Sequence, residues 1–208
     1  MKRAQFINQL IAVGVTTTIT KSYAGLKHVG GPCEGCEAVF EFGNKALSPV
    51  DTMPDYNDRG PKMEISGTIY KSDGRTPAKG VILYAYHTDQ TGIYSAKDDA
   101  QGWGKRHGRI RGWIKTDASG KYKFLTLMPA PYPGRDIPAH VHAIVKEPSV
   151  NEYWIDDYLF EGDALLSEKH RASQTQRAGN GIVQLRKTND GMLVAHRDII
   201  LGLNIPNY

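Results

Sequence analysis

Met63-Glu64-Ile65-Ser66-Gly67-Thr68-Ile69-Tyr70 alternates apolar or small residues at 63, 65, 67 and 69 with the more polar Glu64, Ser66 and Thr68. A two-residue period marks a strand with one face buried and the other wet. Ser72-Asp73-Gly74 then turns the chain, with residues that tolerate tight-turn backbone angles. The pattern recurs outward from this strand. Val81 to His87, Arg111 to Lys115, Lys121 to Leu127, Val141 to Val145, Tyr153 to Phe160 and Met192 to Leu201 are predicted strands, short and bounded by turn residues as in a sandwich. Asp117-Ala118-Ser119-Gly120 predicts a hairpin between Lys115 and Lys121, with glycine where positive φ is needed. A short helix is expected around Leu165 to Ser173.

The fold class is therefore all-β with little helix. With 208 residues and 40% hydrophobic content the chain suits one packed domain. Its 22 glycines and 11 prolines are scattered, as in a loop-rich β protein. Residues 63–208 are assigned to the sandwich and 25–62 to an irregular N-terminal arm. Residues 1–24 have the make-up of an export signal: Lys2 and Arg3, an apolar stretch from Leu10 to Ile19, and Ser22-Tyr23-Ala24 as a small-residue cleavage site. Cleavage predicts a periplasmic or extracellular protein without stable membrane insertion; an uncleaved chain would stay cytoplasmic. The leader carries Lys2, Arg3 and Lys21 and no acid, so its removal takes the formal charge from +4 to +1. The basic run from Lys105 to Arg111 is left, either a steering patch for anionic rings or a solvated loop. No nucleic-acid motif accompanies it, and nucleic acid is excluded as a partner. The cysteines are Cys33 and Cys36, which in an exported chain predict a short local disulfide. A zinc site lacks a second cysteine pair, and a redox C-x-x-C lacks its βαβ setting.

The chemistry centres on His140-Val141-His142, where strand periodicity puts both imidazoles on one face and Val141 on the other. Two nitrogens then reach one metal ion, although an exposed H-x-H is equally at home in water. Pro138 fixes the backbone ahead of the strand and Ala139 leaves room beside the rings. Pro131-Tyr132-Pro133 followed by Pro138-Ala139-His140-Val141-His142 resembles the ligand segment of intradiol ring-cleavage dioxygenases. Further pieces occur in that family's order: Gly67-Thr68-Ile69, Thr88 to Tyr94, Thr116-Asp117 with Gly120 to Phe124, Phe160-Glu161-Gly162-Asp163 and Arg197 to Leu201. The resemblance covers about residues 63–203 and implies the family's prealbumin-like β-sandwich.

It also implies a site. Tyr94 becomes the equatorial and Tyr132 the axial tyrosinate of one non-haem Fe(III), with His140 and His142 as neutral nitrogen ligands. A hard ferric ion suits phenolate oxygen and lowers a tyrosine pKa from about 10. The implied reaction opens a catechol-type ring with O2 to a muconate-type diacid, Tyr132 serving as ligand and as general base. Where the family has arginine directly before Pro-Ala-His, this chain has Ile137. Arg135 is the candidate to replace it, and Ile137 a candidate apolar wall against the substrate. Two rivals stand beside this expectation: a non-catalytic extracytoplasmic prealbumin-like binding module, and the same fold loaded with zinc or copper. The ring substituent stays open. So does a homo-oligomer, although no long helical segment precedes the sandwich to form a helix-linked dimer.

Overall fold

The computed structural model describes residues 27–208, and the expected export leader lies outside them. In chain order the strands are β1 (Val50–Thr52), β2 (Lys62–Tyr70), β3 (Ile82–Tyr86), β4 (Arg111–Lys115), β5 (Lys121–Leu127), β6 (His140–Lys146), β7 (Tyr153–Phe160), β8 (Ile182–Val183), β9 (Leu185–Lys187), β10 (Leu193–His196) and β11 (Ile199–Ile200). Two short helices, α1 (Gly104–His107) and α2 (Glu168–Ala172), sit in connections. One sheet runs β1-β5-β2-β10-β9 with β11 also on β2; the other runs β4-β3-β6-β7-β8. The molecule is thus an all-β sandwich. No helix among the described residues is long and apolar enough to cross a membrane.

The alternation in β2 is realised residue by residue, with Met63, Ile65 and Ile69 buried. They meet Phe124 of β5 and Leu83, Val141, Val145 and Ile155 of the facing sheet in one core. Each such side chain contributes roughly 1.5–3 kcal/mol on burial. Val141 being in this core is what turns its neighbours His140 and His142 to the opposite face of β6.

Three expectations need correction. Asp117–Gly120 is not a hairpin: β4 pairs with β3, while β5 pairs with β2 and β1, so the turn carries the chain between sheets. Thr116 fixes that corner, its hydroxyl donating to Ala78 O (2.7 Å) and accepting from Val81 N–H (3.0 Å). Met192–Leu201 is two strands, not one. The break falls at buried Arg197, whose carbonyl rests on Gly67, where a Cβ would lie only 1.9 Å away. The Asp198 carboxylate accepts the Thr68 N–H beside it (2.8 Å). The helix near Leu165 is confined to Glu168–Ala172, because Ser167 caps it in a capping box with His170.

The arm is also less irregular than expected. Val50–Thr52 adds β1 parallel to β5. A 3-10 turn at Cys36–Phe40 buries Cys36, Ala38 and Val39 against Tyr84, Trp113 and Ile144 on the outer face of the second sheet. The Trp113 indole donates to Ala38 O (3.1 Å). Cys33 and Cys36 are joined by a disulfide.

Candidate metal centre

His140 and His142 stand at the start of β6, the middle strand of the second sheet. Opposite His142 the β6–β7 register slips, so that two residues of β7, Asp156 and Asp157, face one of β6. Such a bulge re-aims a side chain. Here Asp157 reaches His142 Nδ1 at 2.9 Å. His140 Nδ1 lies 2.8 Å from Pro138 O, an acceptor only, so that nitrogen carries the proton. Asp163 holds this approach by accepting the Ala139 N–H (2.9 Å). In both rings Nδ1 has a protein acceptor, which leaves the two Nε2 atoms facing one another at 3.2 Å, that of His140 with the Tyr132 hydroxyl also beside it. Two lone pairs at that distance repel unless a cation or a proton lies between them.

The tyrosines arrive on two loops that touch. Asp89 organises the first by accepting Thr91 N–H (2.8 Å), Ile93 N–H (3.3 Å) and the Thr91 hydroxyl (2.6 Å). Burial pushes the Asp89 carboxyl up, and these bonds together with the Ser95 hydroxyl overrule it, holding the group below the usual carboxylate range. The Thr88 hydroxyl donates to Ala130 O (2.6 Å), tying this loop to the second. Gly92 then lies against Pro131 with φ +78, a spot where any Cβ would collide with the carbonyl. The result is that the Tyr94 and Tyr132 hydroxyls meet at 2.7 Å, and the Tyr132 hydroxyl is 3.1 Å from His140 Nε2. The four expected side chains are brought together.

Burial pushes the Tyr94 phenol far above its ordinary pKa, and its hydrogen bond with Tyr132 adds to this. Burial raises Tyr132 too, against the lowering effect of its hydrogen bond with Tyr94 and the smaller pull of Arg135. His140 is held below its ordinary value by burial and then by His142. Without a cation the phenols therefore keep their protons at neutral pH. Two phenol oxygens from two loops and two imidazole nitrogens from one strand converge in a set that fits a hard, highly charged metal ion. His140, His142 and Asp157 also form a compact potential ligand group. Asp157, however, engages Nδ1, on the far side of the ring from the nitrogen that faces the tyrosines. It holds the His142 ring from behind, as the partners of metal-binding histidines usually do.

A cavity of about 290 Å³ opens beside these groups, lined by Tyr94, Tyr132 and His142 together with Tyr86, Glu34, Trp103, Arg106 and His107. The Tyr86 ring stacks on His142 (centroids 4.6 Å apart) and on His107 (3.9 Å). Arg135 and Ile137 do not line this cavity: Arg135 is exposed, its N–H donating to Tyr132 O at 3.3 Å, and Ile137 is half-buried. The basic run expected as a steering patch or solvated loop contributes Arg106 and buried His107 to the wall. Asp157 and Tyr86 were not singled out in the sequence. The one available signal was register, since Tyr86 pairs directly with His142 across β3 and β6.

A family model described as "Dioxygenase" matches residues 40–201, a span that contains all four converging side chains. The chain belongs to this dioxygenase family. Catechol 1,2-dioxygenase 1 of Acinetobacter lwoffii is 34% identical over 136 residues, covering 58% of this chain and 42% of that protein. Catechol 1,2-dioxygenase 2 of the same organism is 29% identical over 153 residues, covering 61% and 54%. This family member thus spans about half the length of the curated relatives it matches. Among solved structures, catechol 1,2-dioxygenase from Pseudomonas arvilla C-1 superposes with TM-score 0.57 at 22% identity, over 76% of this chain and 58% of that one. The dioxygenase domain of a carbohydrate-binding fusion protein from Streptomyces sp. SirexAA-E superposes with TM-score 0.53 at 21% identity, over 76% and 90%. These likenesses show a shared fold.

Proposed function

We propose that this protein is a non-haem Fe(III)-dependent intradiol dioxygenase that opens a catechol-type ring with O2 to a muconate-type diacid. The observation that carries the proposal is the convergence of Tyr94 and Tyr132 hydroxyls with His140 and His142 Nε2 at successive separations of 2.7, 3.1 and 3.2 Å. These four groups are the ligand set. Their charge favours a trivalent ion: two phenolates carry two negative charges, ferric iron leaves one positive, and the Asp157 carboxylate behind His142 offsets it. A divalent ion would leave the partly buried site negative, which is costly.

Held by these four residues, ferric iron would supply Lewis acidity and electron acceptance that activate a catechol toward O2. The chain's own residues do the rest. Tyr132, the less deeply buried of the two phenols, would be the one free to take a substrate hydroxyl proton onto its own oxygen. Tyr94 would stay in place, because its loop is fixed by Asp89. Asp157 and Pro138 O keep the imidazole protons on Nδ1, away from the metal. Tyr86 and Trp103, whose rings are packed against His107, line the space beside the four groups and exclude water from part of it. The Cys33–Cys36 disulfide supports an exported, periplasmic or extracellular setting.

A binding module without chemistry has no use for two imidazole lone pairs aimed at two phenols. The test is direct. Iron-loaded protein should be burgundy from ferric tyrosinate, should change colour with catechol, and should consume O2 in proportion to catechol. Tyr94→Phe and His142→Ala should each lose the colour. Colourless iron-loaded protein, or full activity in either variant, would refute the ligand set.

A further inference from the structure

The cavity beside the four ligands is bounded on its outer side by Glu34, which lies ahead of the span matched by the family model. This wall is therefore a feature of the N-terminal arm and not of the family segment. Glu34 sits inside the Cys33–Cys36 disulfide loop and ion-pairs with Arg106, which in turn stacks over the Trp103 ring at 5.4 Å. The loop has little freedom to move. Gly35, with φ +81, presses so closely on His107 and Trp103 that a Cβ there would lie 2.8 Å from His107 Nε2 and 3.2 Å from Trp103 Cε3. Glu41 anchors the far side of the same contact, accepting the Trp103 N–H at 2.8 Å and a guanidinium N–H of Arg111 at 2.6 Å.

A second cavity of about 280 Å³ lies across this wall, lined by Pro32, Cys33, Ile144 and Trp154 among others. It shares Glu34, Tyr86 and His142 with the first. Tyr86 and His142 are strand residues locked in the β3–β6 pairing. Glu34 is the one divider carried by a loop, and its side chain is 72% exposed. Each space alone is close to the lower limit of small-molecule pockets, about 300 Å³, enough for one ring with a small substituent.

We infer that Glu34, held by the disulfide loop and paired with Arg106, is a specificity-determining partition that keeps bulky ring substituents out of the second cavity. The inference rests on the ring-binding role proposed for the site. Truncating Glu34 joins the two spaces and gives a large substituent a pocket lined by Ile144 and Trp154. Removal of a steric block of two carbon and two oxygen atoms changes relative affinity by about tenfold.

The test uses iron-loaded full-length protein without O2, and measures binding of catechol and of 4-tert-butylcatechol by calorimetry. Wild type should favour catechol, and Glu34→Ala should shift the ratio of the two dissociation constants toward 4-tert-butylcatechol by about tenfold. Glu37→Ala, an equal loss of charge at an exposed position of the same segment outside both cavity walls, should leave the ratio unmoved. An unchanged ratio in Glu34→Ala, or an equal change in Glu37→Ala, overturns the partition. Oxygen uptake, measured separately, distinguishes the two levels. Selective binding that relaxes in Glu34→Ala without any O2 consumption upholds the partition and overturns the proposed reaction. Failure of wild type to bind either ring overturns both.

Discussion

Gly92→Ala examines whether backbone contact between the two tyrosine loops is what brings the phenols together. A Cβ at Gly92 would lie 2.1 Å from Pro131 O and 2.9 Å from Pro133 Cδ. Ordinary contact begins near 3.4 Å, so the Pro131 carbonyl must retreat by the difference, about 1.3 Å. Tyr132 is the next residue and shares that displacement. The Tyr94–Tyr132 hydroxyl separation of 2.7 Å would then open beyond the O–H···O hydrogen-bond range, which ends near 3.0 Å. A misplacement of about 1 Å at a reacting centre costs on the order of a hundredfold in rate. The left-handed backbone angle adds roughly 1–2 kcal/mol of destabilisation. Gly134→Ala is the internal control: it shares the left-handed angle, φ +66, but has no atom within 4 Å of its Cβ. Gly134→Ala should therefore lower the melting temperature by about 2–4 °C for each kcal/mol and keep the ferric tyrosinate absorption. Gly92→Ala should melt lower still and lose most of that absorption. Gly92→Ala protein with full absorption and the melting temperature of Gly134→Ala would refute the coupling of the loops.

Three further outcomes are expected. Asp157→Ala should weaken iron binding about 10- to 100-fold, and Asp157→Asn, which keeps an acceptor for His142 Nδ1, should lose less; equal affinity in all three proteins by chelator competition would dismiss the orienting role. Because Tyr94 and Tyr132 are held above their ordinary pKa by burial, iron loading should release about two protons per ion, and apparent affinity should rise about a hundredfold per pH unit below the phenol range; release of none, in a weakly buffered titration, would exclude phenolate ligation. Complete burial pushes His87 down to about 4, so between pH ~6.5 and ~4 the unfolded chain takes up a proton that the folded chain refuses. Stability from this residue is full above pH ~6.5 and is lost as pH falls through that window, by about 3 kcal/mol in all. Urea unfolding of His87→Gln should show a correspondingly flatter dependence than wild type, and parallel curves would contradict the assignment.

What the sequence made legible is tied to short-range periodicity. The pairing of His140 with His142 follows from a two-residue repeat and needs no knowledge of the rest of the chain. The alternation in β2 is equally local, and burial of Met63, Ile65 and Ile69 repeats it. Tyr94 and Tyr132 carried no such signal, since a tyrosine near a strand end packs in many ways; they were found through resemblance of whole loops. Asp117–Gly120 misled because the same turn residues serve a hairpin and a corner between sheets, and the choice is made by what β4 and β5 find as partners. The break in the last strand was hidden for a related reason. Nothing in Arg197-Asp198 alone announces that Arg197 will be buried with its carbonyl on Gly67, a contact between residues far apart in the chain.

The features with least trace in the sequence are those that complete the site. Asp157 reaches His142 only because β7 bulges opposite one residue of β6, and a bulge depends on both strands at once. The outer wall depends on Glu34 and Arg106, 72 positions apart, and each alone reads as a solvated charge. The geometry of the four converging side chains is overdetermined: Asp89, Gly92, Pro138 and Asp163 each fix it from a different direction, so most single changes outside them leave it standing. Glu34 has only its loop and one ion pair. A residue that lines the cavity yet is fixed by so few contacts can be exchanged without disturbing the ligands. Changes in ring preference of this protein should accordingly come from the 33–36 loop and the 103–107 turn it touches, rather than from the histidines and tyrosines themselves.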